Sequence, residues 1–205
     1  MHWPKTLIQK SNQPLLIQHL HYRLCLPLKN QLICLLIDCS SSMLSRNKLS
    51  MAKGLILQIA RQIRQQREKL AVIGFRNDQA SILRRPDQCA GLDECWIRSI
   101  QGGGTTPLRK GIVTTEQFLQ RYQRQFPGGT VDLWLLTDGR FRELPERPKG
   151  AEHYIVIDFE DGRIRLAKAR QLAQQWNANY FRSADVFQMD SPTPSHCSPV
   201  NRQAF

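Results

Sequence analysis

Leu32 to Ile37 is a run of six apolar residues that ends directly on Asp38. So short a run closed by an acid predicts a strand buried on both faces of a parallel sheet, and its hydrophobicity places it at the sheet centre. From Lys48 the period changes. Leu49, Ala52, Leu55, Ile56, Ile59 and Ile63 recur at three- and four-residue intervals with Lys53, Arg61, Arg64 and Arg67 between them, which predicts an amphipathic helix. Leu70 to Phe75 reads as a second strand, and Ala80 to Leu83 returns beside it as a short edge strand after an Asn77-Asp78 turn. A helix is expected over Asp87 to Ser99. A second begins at Pro107, whose fixed φ suits a first turn, and continues through Ile112, Val113, Phe118 and Leu119. Val131 to Thr137 is a third strand and also ends on an acid, Asp138. His153 to Ile157, a helix from about Ile164 to Trp176, and a last strand at Asn179 to Arg182 complete the pattern. Strands alternating with helices in this way predict an α/β fold, Rossmann-like and doubly wound, with a mostly parallel central sheet and one antiparallel edge strand.

A chain of 205 residues holds one such domain with short ends. We expect an irregular arm over 1–30, where Pro4, Pro14 and Pro27 interrupt any period, the domain itself over 31–186, and a disordered tail over 187–205 rich in Ser-Pro and Thr-Pro pairs. No apolar run approaches the roughly 20 residues of a membrane span, and the amino terminus lacks the features of a secretory signal, so a cytoplasmic protein is expected. Six cysteines are scattered without a C-x-x-C pair or zinc spacing and are expected to be free thiols. The net charge of +12 and pI near 9.9 favour encounter with anionic partners without naming one.

The candidate chemistry lies where the strands end. Asp38, Ser40 and Ser42 alternate after the first strand and are expected to point their oxygens to one side of an extended turn. Asp138 follows the third strand, and the loop Gly102-Gly103-Gly104 carries Thr106 ahead of a helix. Ligands in open α/β sheets sit at this carboxyl edge. Five oxygen donors with two carboxylates and no sulfur or imidazole select a hard cation, and Mg2+ fits so small a set better than Ca2+. Two carboxylates cancel its charge, leaving the ion able to attract one Glu or Asp from outside. Gly102-Gly103-Gly104 is not a phosphate cradle, since no G-x-x-x-x-G-K-[ST] occurs. Nor is Asp38 read as a phosphatase nucleophile, because the second acid such enzymes place two residues on is Ser40 here. Asp38 and Asp138 must both stay ionised to hold a metal, so neither offers a raised pKa for acid/base work, and no catalysis is expected. Arg140 and Arg142 could meet an acidic partner or a phosphate, or form a solvated loop.

Asp38-x-Ser40-x-Ser42, Thr106 and Thr137-Asp138-Gly139 resemble the metal-ion-dependent adhesion site of von Willebrand factor A (vWA) domains. Within that superfamily, Gly102 to Leu108, Leu135 to Arg140 and Ala71 to Arg76 are similar to the carboxy-terminal domain of the D subunit of magnesium chelatase and its cobalt-chelatase relatives, a likeness running from about Gln31 to Val186. The family places its threonine directly before the proline and five residues before a helix glycine, here Gly111, which favours Thr106 over Thr105. Ser41 replaces the family's usual glycine. The ATPase-like module and acidic proline-rich linker of those subunits are absent, so a standalone version is expected. The resemblance implies a non-catalytic accessory subunit that binds Mg2+, docks an AAA+ ATPase chelatase subunit and assists a large catalytic chelatase subunit in cobalamin or chlorophyll type tetrapyrrole biosynthesis. The alternatives are a general Mg2+ dependent interaction module of an AAA+ system, or a basic vWA domain that binds nucleic acid, which the donor set disfavours. No membrane partner is expected.

Overall fold

The computed structural model describes residues 31–66, 68–87, 94–162 and 165–188. The arm over 1–30 and the tail from 189 onward lie outside them. Six strands form one sheet: β1 (Leu32–Asp38), β2 (Lys69–Arg76), β3 (Gln79–Asp87), β4 (Val131–Thr137), β5 (His153–Asp158) and β6 (Asn179–Arg182), in the order β3-β2-β1-β4-β5-β6. All pairings are parallel except β2 with β3. Asn77 (φ 48°) and Asp78 (φ 61°) make the left-handed two-residue turn that this hairpin needs. The fold is thus the doubly wound, mostly parallel sheet with an antiparallel edge strand that the hydrophobic pattern predicts.

Every residue of β1 is buried, because helices cover both faces of the sheet. Cys34 and Leu36 face one layer, with Leu108, Ile112 and Leu119 of α4 (Leu108–Gln125) and Leu172 and Trp176 of α5 (Lys168–Trp176). Ile33, Leu35 and Ile37 face the other, with Ala52, Leu55, Ile56, Ile59 and Ile63 of α2 (Lys48–Gln66) and Ile97 of α3 (Glu94–Ser99). Successive side chains of a strand point to opposite faces, so one apolar run feeds two cores.

Several boundaries differ from expectation. Asp87 ends β3 instead of opening a helix, and the helical part among the described residues is only Glu94–Ser99. The helix expected from Ile164, a residue outside those described, starts at Lys168, because Ala167 is left-handed, and the Glu160 carboxylate accepts hydrogen bonds from the backbone N–H groups of Leu166 (2.6 Å) and Ala167 (3.0 Å) ahead of it. Two short helices were not expected, α1 (Ser41–Leu44) and α6 (Ser183–Gln188), the latter running past the expected domain end at 186.

The chain leaves β1 for β2 on one side and reaches β4 on the other. The carboxyl ends of β1 and β4, with Asp38 and Asp138, therefore flank the point where the connections diverge.

Candidate metal centre

Asp38 is the last residue of β1 and is fully buried, as is Asp138 just past the end of β4. The stretch between β1 and α2 is not the extended turn expected. Ser40 is extended (φ −69°, ψ 169°) and precedes the single helical turn of α1, which brings Ser42 back over it. The turn forms because the Ser40 N–H donates to Asp38 Oδ1 (2.9 Å) and Met43 N–H to the Ser40 carbonyl (3.1 Å). Convergence of the oxygens survives the change: Ser40 Oγ lies 3.0 Å from Ser42 Oγ, and Ser42 Oγ donates to Asp138 Oδ1 at 3.0 Å. Four predicted donors thus form one connected chain across two strand ends.

The glycine loop is fastened to the same turn. Gly103 N–H donates to the Cys39 carbonyl (2.8 Å), Ser41 N–H to the Gly104 carbonyl (3.0 Å), and Gly104 N–H to Ser41 Oγ (2.7 Å). Gly104 has φ +78°, and a Cβ there would overlap the Asn77 side chain, so glycine is required on both counts. The hydroxyl of Ser41, where the resemblance leads one to expect glycine, adds a side-chain tether to the two backbone bonds that hold the loop. Thr106 is half-buried two residues further on, and among the described residues its hydroxyl joins none of the hydrogen bonds linking the other four. Thr105 and Thr106 line the same cleft.

Lys48 and Asp158 were missed from sequence, and Thr137 was read there only as part of the Thr137-Asp138-Gly139 motif, without a role of its own. Lys48, the first residue of α2, is buried, with Nζ 3.1 Å from Asp138 Oδ2 and 3.0 Å from Asp161 Oδ1. The signal was present, since Lys48 stands four residues before Ala52 and seven before Leu55, on the apolar stripe of its own helix. A lysine in that position has to find a buried carboxylate. Thr137 Oγ1 donates to Asp38 Oδ2 (2.9 Å) and accepts from Gly139 N–H (3.1 Å), fixing the Asp38 carboxylate. Asp158, at the end of β5, is a third buried acid at this edge, but Tyr180 Oη (2.6 Å) and Glu160 N–H (2.7 Å) occupy its oxygens. Both of its oxygens are thereby engaged within the loop that follows β5 and by β6.

Burial pushes the Asp38 carboxyl up to about 6, against hydrogen bonds from Ser40 and Thr137 that lower it and the nearby charge of Asp138 that raises it. The expectation of two ionised aspartates concerns the ion-bound site; with no ion beside it the Asp38 carboxyl is raised. A cation beside it would restore the ionised form. Among the described residues no three His, Cys, Asp or Glu side chains cluster as a metal site, so any ion here must draw on hydroxyls. Two hydroxyls and the Asp138 carboxylate, with oxygen neighbours 3.0 Å apart, and the Asp38 carboxylate held to the same turn by the Ser40 N–H, are a donor set that fits a small hard cation. Lys48 supplies part of the positive charge such a pair requires.

Fold and donor pattern together define the class: residues 33–140 match the von Willebrand factor type A domain, and the chain belongs to that family. An uncharacterised protein of Mycobacterium tuberculosis, Rv2850c, is 29% identical over 75% of this chain and 26% of its own length. The magnesium-chelatase 60 kDa subunit of Rhodobacter capsulatus is 29% identical over 55% of this chain and 20% of that subunit. The chain therefore spans about a quarter or less of these relatives. The pilus adhesin SpaC of Lactobacillus rhamnosus GG, in its open conformation, shares the fold at a TM-score of 0.56 and 15% identity, over 78% of this chain and 29% of that one. Among the described residues no helix is long and apolar enough to cross a membrane.

Proposed function

We propose that this A domain is a non-catalytic accessory module of a magnesium- or cobalt-chelatase type assembly, and that it docks an AAA+ ATPase subunit through Mg2+ held by Asp38, Ser40, Ser42, Asp138 and Thr106. The observation that carries the reading is the unbroken hydrogen-bonded run Asp38, Ser40, Ser42, Asp138 across the carboxyl ends of two adjacent strands. The likeness to magnesium-chelatase subunits over about half the chain supports the choice of assembly.

Each residue has a distinct task in this reading. Asp38 and Asp138 supply the negative charge, and their burial keeps water from competing for it. Ser40 and Ser42 supply neutral oxygens already turned toward one another, and Ser41 and Thr137 hold the two ligand-bearing loops in register. Bound there, the ion would offer one open position to a Glu or Asp of the partner.

The test is calorimetric titration with MgCl2, followed by surface-binding measurements against the AAA+ subunit of the same system. Asp38→Ala is expected to weaken Mg2+ binding by at least about tenfold and to remove EDTA-sensitive association, since one of only two charged donors is lost. Association that is indifferent both to EDTA and to Asp38→Ala would end this reading.

A further inference from the structure

Beside the donor chain lies a cleft of about 580 Å3 between the Thr105-Thr106-Pro107 loop and the segment that follows β4. Three guanidinium groups line it: Arg109 from the first turn of α4, and Arg140 and Arg142 just past Asp138. All three residues are exposed. Arg140 Nε is 3.8 Å from Asp138 Oδ2, while among the described residues Arg109 and Arg142 have no carboxylate partner. The acids on the same walls do not offset this charge. Asp78 is bound by Lys110 at 2.6 Å, which leaves Glu143 against three arginines. Arg109 and Arg142, without a carboxylate partner among the described residues and gathered in one concavity with Arg140, attract carboxylates or phosphates, and their planar donors bind either in bidentate fashion.

We propose that this cleft receives an acidic segment of a partner protein, so that recognition is carried by the arginines as well as by the ion position beside them. The inference rests on the docking role above and adds the partner's chemistry to it. A protein segment suits the cleft better than nucleic acid does. Phe141, Pro107, Leu108 and Pro145 give it apolar walls that can hold side chains and an extended backbone. Three cations in one cleft also fall short of the roughly 6 to 10 phosphate contacts of an extended nucleic-acid track. Because Arg140 contacts Asp138 directly, the partner's acids would sit on a surface continuous with the metal centre. An acid at the open coordination position and one or two more on Arg109 and Arg142 form a single binding footprint.

The experiment uses the whole chain and a fluorescein-labelled peptide in which Glu alternates with Gly and Ser, with a Gln-for-Glu peptide and a single-stranded oligonucleotide as controls. Fluorescence anisotropy is recorded with Mg2+ and with EDTA for wild type, Asp38→Ala and the double variant Arg109→Glu/Arg142→Glu, circular dichroism verifying the fold of each. The expected result is binding of the Glu peptide only, weakened at least about tenfold by the double charge reversal in Mg2+ and in EDTA alike, and weakened further by salt. If charge reversal leaves binding unchanged while EDTA and Asp38→Ala abolish it, the cleft is overturned and the metal docking role stands. If charge reversal abolishes binding and the other two changes have no effect, the cleft stands and the metal docking role falls. Oligonucleotide binding tighter than the Glu peptide, lost in the double variant, would overturn the proposal in favour of a nucleic-acid surface.

Discussion

Lys48 leaves only 3% of its side chain to solvent, yet its ammonium group touches Asp138, which is fully buried, and Asp161, which is partly exposed. Desolvating a lysine costs several kcal/mol, and the two carboxylates within 3.1 Å offset that cost. Its charge stands at the oxygen of Asp138 that Ser42 leaves free, so Lys48 acts as an internal counter-ion for the candidate centre. Lys48→Met keeps much of the volume and removes the charge. In EDTA this substitution is expected to lower unfolding stability by about 3 kcal/mol, because the buried Asp138 then keeps only the exposed Arg140, 3.8 Å away, as a cationic partner. Saturating Mg2+ should recover at least half of the loss, as the ion takes over the same carboxylate. Urea unfolding curves of both proteins with and without Mg2+ decide it, and equal losses in the two conditions would show that no cation reaches Asp138.

Two glycines inside helices show how packing, not propensity, sets what an element tolerates. Gly54, in α2, is exposed, and a Cβ there meets nothing within 4 Å. Gly111, in α4, lies over the sheet, and a Cβ there would come within 2.9 Å of the fully buried Phe75 ring and 3.3 Å of Leu36. Gly54→Ala is therefore expected to stabilise by up to about 1 kcal/mol through helix propensity alone. Gly111→Val should destabilise by about 1–3 kcal/mol as α4 is forced off the sheet. Thermal unfolding of the two variants tests the pair, and a shift of the same sign in both would contradict the packing described. The same contrast governs what could be read from sequence. Runs such as Leu32 to Ile37 and Val131 to Thr137 announce strands because burial on both faces leaves no room for polar residues. The late start of α5 could not be read, since it depends on the left-handed conformation of Ala167, a residue whose type does not announce it. Likewise, Asp38, Ser40, Ser42 and Asp138 were legible as oxygen-bearing side chains, whereas the tether from Ser41 to Gly104 depends on a contact 63 residues apart.

For the molecule as a whole, the covering of both sheet faces by helices leaves the middle of β1 without access to water, and Cys34 sits there fully buried. Burial pushes its thiol from 9.0 to about 12. The sign of the consequence follows from which state holds the proton. Above about pH 9 the unfolded chain releases it while the folded chain keeps it, so the stability this thiol contributes is complete below pH 9 and is lost as pH rises toward 12. The slope is about 1.4 kcal/mol per pH unit in that window, or about 3 kcal/mol lost near pH 11. Other buried groups respond to alkali as well, Tyr180 among them, so a falling profile for the wild type alone would not isolate Cys34. The difference between wild type and Cys34→Ala does isolate it, since every other titration is common to both chains and the lost packing does not depend on pH. At about pH 8 the wild type should be the more stable by about 1–2 kcal/mol, the cost of a small cavity, and by about pH 11 that gap should close or reverse. Urea unfolding under reducing conditions across this range measures the gap directly. A gap that stays constant from pH 8 to pH 11 would mean that the thiol ionises alike in both states, which is incompatible with a β1 sealed between two helical layers.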